Sequence, residues 1–550
     1  MTDQASSPRA STRGASTRVL RIQDLSVTIG AQAVVRNVSL DIAGGEILGL
    51  VGASGSGKSM TARAIMQLLP PAAVMSGGVE LRDEPLNGMS EHRLQTVRGR
   101  DVGMIFQEPM SALNPLMRIG DQVAETVRLH RADSRAQARS AARDALDQVG
   151  LSGEAGALDR LPYELSGGQR QRVAIAMAIV MAPCLLIADE PTTALDVISQ
   201  AQVLALLRDL ARSRGMGLLL VTHDMAVIAQ LTDRVAVMRQ GEIIEHGTTA
   251  QILHHGREPY TQSLLAAARL SHKRAVAAPT GSAVVLEVDG VVQEYPRERR
   301  SLFKAATPLR AVDGVSLSIR AGETVGLVGE SGSGKSSLLR VILALQNPSQ
   351  GRVSLLGNAF SAAAGTAVKR LRRDLQAVFQ DPVGSFDPRW SVERLIAEPF
   401  FLLDTPPAGA ERSRKVAEVL EQVGLNAGDA RRYPHEFSGG QRQRIAIARA
   451  LITRPAVIAF DEAVSALDVL VRENILELLA QLAERLKVAY LFVTHDLHVI
   501  RAIADRIYVM QSGRIVEEGA TESVFNSPQH PYTRALIAAT PEILSAAGPR

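Results

Sequence analysis

An eight-residue segment, Gly52-Ala53-Ser54-Gly55-Ser56-Gly57-Lys58-Ser59, occurs a second time as Gly329-Glu330-Ser331-Gly332-Ser333-Gly334-Lys335-Ser336. Each copy follows a short apolar run, Ile47 to Val51 or Val325 to Val328, that reads as a strand. Each precedes a helix-forming stretch, opening Met60-Thr61-Ala62-Arg63 or Ser337-Leu338-Leu339-Arg340. Strand, glycine-rich turn and helix, with Lys and Ser closing the turn, is the arrangement of a phosphate-binding loop. Glycines let the backbone wrap closely around a phosphate chain with several N–H groups pointing inward, and the helix start adds the positive end of its dipole. The spacing predicts that Lys58 and Lys335 reach the β- and γ-phosphates and that Ser59 and Ser336 ligate Mg²⁺. Two full matches imply two nucleoside-triphosphate sites.

The duplication extends well beyond these loops. The loops stand 277 residues apart, and Leu165-Ser166-Gly167-Gly168-Gln169 returns as Phe437-Ser438-Gly439-Gly440-Gln441, with a 272-residue offset. Asp189-Glu190 and His223 return at that same offset as Asp461-Glu462 and His495, and Gln107 returns as Gln380, 273 residues on. Shared order and spacing identify a tandem repeat. Ser271 to Gly281 has linker composition. The expected organisation is a tail over 1–18, one unit over 19–270, a linker over 271–283 and a second unit over 284–550.

Within the first copy, Leu20 to Ile42 alternates enough to suggest several short strands, and residues 116–160, rich in Ala, Arg, Gln and Leu, read as mostly helical. Leu185 to Ala188 and Leu218 to Val221 have the look of fully buried parallel strands, with a helical pattern from Gln200 to Arg214 between them. Each copy is thus expected to be an α/β core with a helical insert and an antiparallel β portion at its start.

Composition excludes several classes. Hydrophobic residues are 46% and charged residues 21% of 550, an ordinary globular balance. A net charge of +4 over this length gives no reason to expect a nucleic-acid surface. The single cysteine, Cys184, rules out an intrachain disulfide and a multi-cysteine metal site, and its apolar neighbours mark it as a small buried hydrophobe. Residues 1–18 lack the apolar segment of a secretory signal and read as a disordered extension. The longest apolar run, Val173 to Ala188, is short for a membrane span, contains Pro183 and ends in Asp189-Glu190, so it reads as a buried helix followed by a buried strand.

A phosphate loop, a later Leu-Ser-Gly-Gly-Gln, an apolar strand ending in Asp-Glu and a strand ending in His together resemble the ATP-binding-cassette (ABC) ATPase family, over nearly the whole chain and twice. The resemblance implies two tandem P-loop NTPase cassettes, each a RecA-like core with an antiparallel β subdomain and a helical subdomain. It implies ATP and Mg²⁺ as ligands, with Ser59, Gln107 and Asp189, and Ser336, Gln380 and Asp461, at the metal. Glu190 and Glu462 are expected to orient or deprotonate the attacking water, and His223 and His495 to contact the γ-phosphate. Ser166, Gly167, Gly168 and Gln169, with Ser438, Gly439, Gly440 and Gln441, supply a second set of phosphate donors at a helix start. In the family two cassettes close head to tail. Carried over, Lys58, Glu190 and His223 pair with Ser438, and Lys335, Glu462 and His495 pair with Ser166, with the loops around Ala194-Leu195-Asp196 and Ala466-Leu467-Asp468 across the interface. Two positions depart from the pattern or from each other: Ile29 stands where the family has an adenine-stacking aromatic, a place Tyr295 fills in the second copy, and Ala463 replaces Pro191. Ser337, directly after the second loop, is a further expected nucleotide-binding residue.

Finer features resemble the dipeptide, oligopeptide and nickel importer branch, including its fused, glutathione-type members. These are the proline-containing stretches after Gln107 (Glu108 to Pro115) and Gln380 (Asp381 to Pro388), and the segments Glu258-Pro259-Tyr260-Thr261 and His530-Pro531-Tyr532-Thr533. That resemblance implies a motor on the cytoplasmic face of the inner membrane, driving peptide uptake through two transmembrane permease subunits fed by an extracytoplasmic binding protein, with no nucleic acid as partner. With one cysteine, neither the iron–sulfur cluster of some relatives nor a zinc site is expected. The alternatives are a twin-cassette ATPase acting on ribosomes or DNA, or an export ATPase. The short linker, the missing zinc cysteines and the lack of room for long coiled coils argue against the first, and the Pro-Tyr-Thr segments against the second.

Overall fold

The computed structural model of the chain describes residues 18–107, 112–151, 156–193, 195–269, 282–296, 308–360, 366–381, 384–465 and 467–541. The expected tail up to residue 17, residues 108–111 and 382–383 of the proline-containing stretches, Ala194, Ala466, residue 270 at the expected domain edge and linker residues 271–281 lie outside them. The described residues divide into two compact units, one comprising those up to 193 with 202–261, the other 195–201 with 262–541.

The strands of the first unit, in chain order, are β1 (Arg18–Ile29), β2 (Gln32–Ala43), β3 (Ile47–Val51), β4 (Ala73–Leu81), β5 (Glu84–Pro85), β6 (Val102–Ile105), β7 (Leu185–Asp189), β8 (Gly217–Thr222), β9 (Arg234–Arg239) and β10 (Glu242–Thr248). They form a four-stranded antiparallel sheet in the order β2-β1-β4-β5 and a six-stranded sheet in the order β10-β9-β3-β8-β7-β6. The six-stranded sheet is parallel except for the edge strand β10. Every residue of β3, β7 and β8 is buried, as unbroken apolar runs in a parallel sheet covered on both faces must be.

The stretch expected to hold several short strands is instead one long hairpin, β1 and β2. Its register slips at four places, between Arg18 and Leu20 and on to Thr28, and these irregularities break the alternation that would mark a continuous strand. The helical insert is present as Ile119–His130 and Arg135–Gln148, the second opened by a capping box of Ser134 and Gln137. Cys184 is buried, its thiol bonded to the carbonyl of Asp101 and pushed up in pKa by burial.

The second unit repeats this plan. Its strands are β11 (Val284–Tyr295), β12 (Leu309–Arg320), β13 (Thr324–Val328), β14 (Gln350–Leu355), β15 (Asn358–Phe360), β16 (Leu375–Val378), β17 (Val457–Asp461), β18 (Ala489–Thr494), β19 (Arg506–Gln511) and β20 (Arg514–Ala520). They form sheets in the orders β12-β11-β14-β15 and β16-β17-β18-β13-β19-β20. In both units the phosphate-loop strand, β3 or β13, lies between two parallel neighbours inside the larger sheet, a position that places loops at the carboxyl ends of the strands where α/β proteins bind ligands. Among the described residues no helix is long and apolar enough to cross a membrane.

Candidate nucleotide-binding sites

β3 runs into the loop at Gly52, and the following helix, Lys58–Ile65, starts directly after Gly57. Gly57 has φ +106°, and a Cβ there would stand 2.7 Å from the carbonyl oxygen of Val34. Gly334 has the same φ ahead of the helix Lys335–Ile342, with the carbonyl of Ala311 only 2.1 Å from such a Cβ. A side chain at either position would be strained in backbone and space. Ser54 and Gly55, and Ser331 and Gly332, form the exposed crests of the loops, while Ser56 and Ser333 are buried beneath them.

Both loop lysines are buried and fold back onto their own loop. Lys58 Nζ donates to the carbonyls of Gly52 at 2.8 Å and Ala53 at 2.9 Å, and Lys335 Nζ to those of Gly329 at 2.7 Å and Glu330 at 2.8 Å. Burial lowers the pKa of Lys335 against the pull of Glu462 and other nearby carboxylates. A charged group desolvated in this way is primed for an anionic partner.

β7 ends at Asp189, which accepts a hydrogen bond from the Ser59 hydroxyl at 2.9 Å. Burial pushes the Asp189 carboxyl above its ordinary value, and burial followed by the charge of Glu462 does the same to Asp461 at the end of β17. A hydroxyl beside a desolvated carboxylate is a donor set suited to a hard, oxygen-loving dication. Ser336 and Asp461 occupy the same places at the start of their helix and the end of their strand.

The next residue, Glu190, has φ +48°, as has Glu462. The left-handed backbone is uncommon for glutamate and is held by the bond from the Glu190 amide to the carbonyl of Val221, repeated from Glu462 to Val493. It turns each carboxylate toward the histidine after the neighbouring strand: His223 Nδ1 lies 3.1 Å from Glu190 Oε1, and His495 Nδ1 lies 3.0 Å from Glu462 Oε1. Burial would raise Glu190, but the hydrogen bond and charge of His223, with help from Thr193 and Lys58, hold it below the ordinary value. The bond from His495 outweighs burial and lowers Glu462 likewise. Gln107, two residues past β6, donates from Nε2 to Glu190 Oε2 at 3.0 Å. Gln380 is exposed two residues past β16.

Ser166 and Ser438 each cap a helix, Gly167–Ile179 and Gly439–Leu451. Each forms a capping box with Gln169 or Gln441, so that serine and glutamine satisfy each other's backbone amides. The next glycines, Gly168 and Gly440, lie in the first turns of these helices. Tyr295 closes β11 as Ile29 closes β1, both strands being twelve residues long. The Tyr295 hydroxyl lies 3.4 Å from Ser337 Oγ and 3.0 Å from Gln346 Oε1, which fixes the ring beside the loop helix. Ala463 is buried, as is Pro191.

Three contacts were not anticipated from the sequence. The Thr193 hydroxyl donates to Glu190 Oε2 at 3.1 Å. The hydroxyls of Tyr260 and Tyr532 accept from the amides of Ala53 at 2.7 Å and Glu330 at 2.8 Å, directly on the phosphate loops. The signal for the tyrosines was present in their recurrence at the common 272-residue offset, but nothing local says what the hydroxyl touches.

The sequence pattern described as "ABC transporter" matches residues 35–193 and again 312–465. One described as "Oligopeptide/dipeptide transporter, C-terminal region" matches residues 516–549. The chain is 45% identical over 530 residues to the peptidoglycan transport ATP-binding protein YejF of Agrobacterium fabrum, covering 95% of this chain and 96% of that one. It is 46% identical over 539 residues to the glutathione import ATP-binding protein GsiA of Salmonella paratyphi A, covering 92% and 86%. To the protein of that name in Escherichia coli K12 it is 44% identical over 562 residues, covering 95% and 89%. With both halves matched and relatives aligned over nine-tenths of its length, the chain belongs to the ABC transporter family, as an ATP-binding, ATP-hydrolysing protein with two cassettes on one polypeptide.

Proposed function

We propose that this chain is the motor of a peptide importer, hydrolysing ATP at two sites to drive uptake through two membrane permeases. The observation that carries the catalytic part is the carboxylate–imidazole pair, Glu190 with His223 and Glu462 with His495, present with nearly the same geometry in both cassettes. An ionised, partly buried glutamate within reach of the γ-phosphate end of a phosphate loop can orient and deprotonate a water, and the imidazole beside it can donate to the charge that develops on the phosphoryl oxygens. Gln107, bonded to Glu190, and Gln380 are the residues to sense Mg²⁺ and the γ-phosphate. Lys58 and Lys335 leave their resting carbonyls for the β- and γ-phosphates. Ser59 with Asp189, and Ser336 with Asp461, are the residues to hold Mg²⁺, which when bound offsets phosphate charge. Both sites retain glutamate and histidine, so both turn over.

The importer reading, a small peptide as cargo, a binding protein outside the membrane and a place on its cytoplasmic face are supported by the match of residues 516–549 to the oligopeptide/dipeptide transporter C-terminal region and by relatives named for glutathione import and peptidoglycan transport. The test is a tagged pull-down from detergent-solubilised membranes, with ATPase assayed on the purified complex. Two co-purifying permeases and stimulation by a peptide-loaded binding protein are expected. Ribosomal proteins in the pull-down, or an ATPase that is fully active alone and indifferent to binding protein, would overturn the importer reading.

A further inference from the structure

The tyrosine contacts on the phosphate loops form a duplicated, built device. In the first cassette the amide of the peptide joining Gly52 to Ala53 donates to Tyr260 Oη at 2.7 Å, while the carbonyl of that same peptide, Gly52 O, accepts from Lys58 Nζ at 2.8 Å. In the second, the peptide joining Gly329 to Glu330 is bound at both ends in the same way, by Tyr532 Oη at 2.8 Å and Lys335 Nζ at 2.7 Å. One peptide plane thus links a tyrosine on a C-terminal helix to the phosphate-binding lysine, and bonds chained through one amide polarise each other.

The tyrosines are themselves anchored. Each sits one residue into a helix, Pro259–Ala268 or Pro531–Ala539. The chain entering that helix is gripped by a carboxylate on the edge strand. Glu245 of β10 accepts from the amides of Arg257 at 2.7 Å and Glu258 at 3.3 Å, and Glu517 of β20 from those of Gln529 at 2.7 Å and His530 at 2.9 Å. Burial, opposed by the bond to Glu330, pushes the Tyr532 phenol up to about 12, so it stays neutral across the working pH range. The ring of Tyr260 also lies under the Arg239 guanidinium at 5.1 Å, a contact for which the second cassette has Gln511.

We propose that Tyr260 and Tyr532 are positioning residues that set the orientation of the first peptide of each phosphate loop and so tune the ATP affinity of their own cassette. The inference rests on Lys58 and Lys335 being nucleotide-binding residues. A loop whose entry peptide is fixed presents its lysine and inward amides in one arrangement, whereas a free peptide must be ordered when nucleotide binds.

The test uses the full chain with one loop silenced by Lys335→Ala or Lys58→Ala, and Mg²⁺ with a fluorescent N-methylanthraniloyl ATP as probe. Tyr260→Phe should weaken binding at the first site, and Tyr532→Phe at the second, by about three- to tenfold, the scale of one neutral hydrogen bond. The unliganded unfolding midpoint should fall by only a few °C, because one hydrogen bond is lost while phenylalanine keeps the ring packing. Glu517→Gln, which keeps the tyrosine but loosens its helix, should weaken the second site in the same direction. Unchanged affinity in both tyrosine variants would overturn the proposal, as would an equal loss at the first site when Tyr532→Phe is placed in the Lys335→Ala chain. If Lys58→Ala with Lys335→Ala binds the probe as tightly as the parent chain, the reading of the lysines fails, and that result is separate from the tyrosine comparison.

Discussion

His223 Nδ1 and Glu190 Oε1 stand 3.1 Å apart, and their counterparts His495 and Glu462 stand 3.0 Å apart. In both cassettes the glutamate is left-handed, at φ +48° directly after a buried strand, and its carboxylate meets the histidine at the neighbouring strand's end. The histidine keeps the carboxylate ionised against the push of burial. A base held below its ordinary pKa remains available throughout the neutral range.

Glu190→Gln combined with Glu462→Gln removes both bases while keeping shape and hydrogen-bonding reach. Steady-state hydrolysis should fall by roughly 10²–10⁴-fold, the usual worth of a general base, with ATP retained after rapid gel filtration. Undiminished turnover would refute the assigned role.

Ile29 closes β1 where Tyr295 closes β11. In chains with one loop silenced, the first site should bind ATP more weakly than the second. Ile29→Tyr should recover about 1 kcal/mol, near fivefold, on the scale of an aromatic stacking contact. Titration with a fluorescent nucleotide measures both values, and equal affinities in the parent chain would remove the argument.

At Gly334 a methyl group would meet the carbonyl of Ala311 at 2.1 Å on a backbone with φ +106°. Gly334→Ala should therefore cost the second site roughly tenfold or more in nucleotide affinity through loop strain. The first site, assayed with Lys335 replaced, should be untouched.

Asp496 caps the helix Leu497–Ile503 and pairs with Arg472 at 2.8 Å, whereas at the equivalent places in the first cassette Asp224 caps its helix and Gln200 stands in place of the arginine. Burial would raise the Asp496 carboxyl, but the Arg472 charge and other nearby groups hold it low. A depressed folded-state pKa gives stability that is fully present above the unfolded value near 3.9 and is lost as pH falls through the folded value. Asp496→Asn should lower the unfolding midpoint by several °C at pH 7, consistent with about 2 kcal/mol for removing the charge partner of a largely buried arginine that keeps its bond to the Leu467 carbonyl. The deficit should shrink below about pH 4, where the parent loses the same charge. Scanning calorimetry at several pH values checks both statements.

Much of this was legible in the chain. Leu185 to Ala188 and Leu218 to Val221 read as buried parallel strands because a strand covered on both faces has no polar side to show, and β7 and β8 are buried throughout. Lys58, Asp189 and His223 could be placed by spacing because each sits at the end of a regular element. The hairpin of β1 and β2 was obscured by its register slips. Three features lay beyond local pattern altogether: the left-handed turn at Glu190, the Thr193 hydroxyl on its carboxylate and the tyrosines on the loop amides. The tyrosine contacts join residues more than two hundred positions apart, and the Thr193 contact, though only three residues long, needs the left-handed turn at Glu190 that the assembled sheet imposes.

Cys184, buried against Asp101 with its thiol pushed up in pKa, makes the protein nearly silent toward thiol reagents while folded. The unaltered chain is thus already a clean background for site-directed labelling. A single cysteine introduced on each cassette would carry a spin label or a fluorophore pair with little competing chemistry, and the motion of the motor during its cycle could be followed without first engineering the native thiol away.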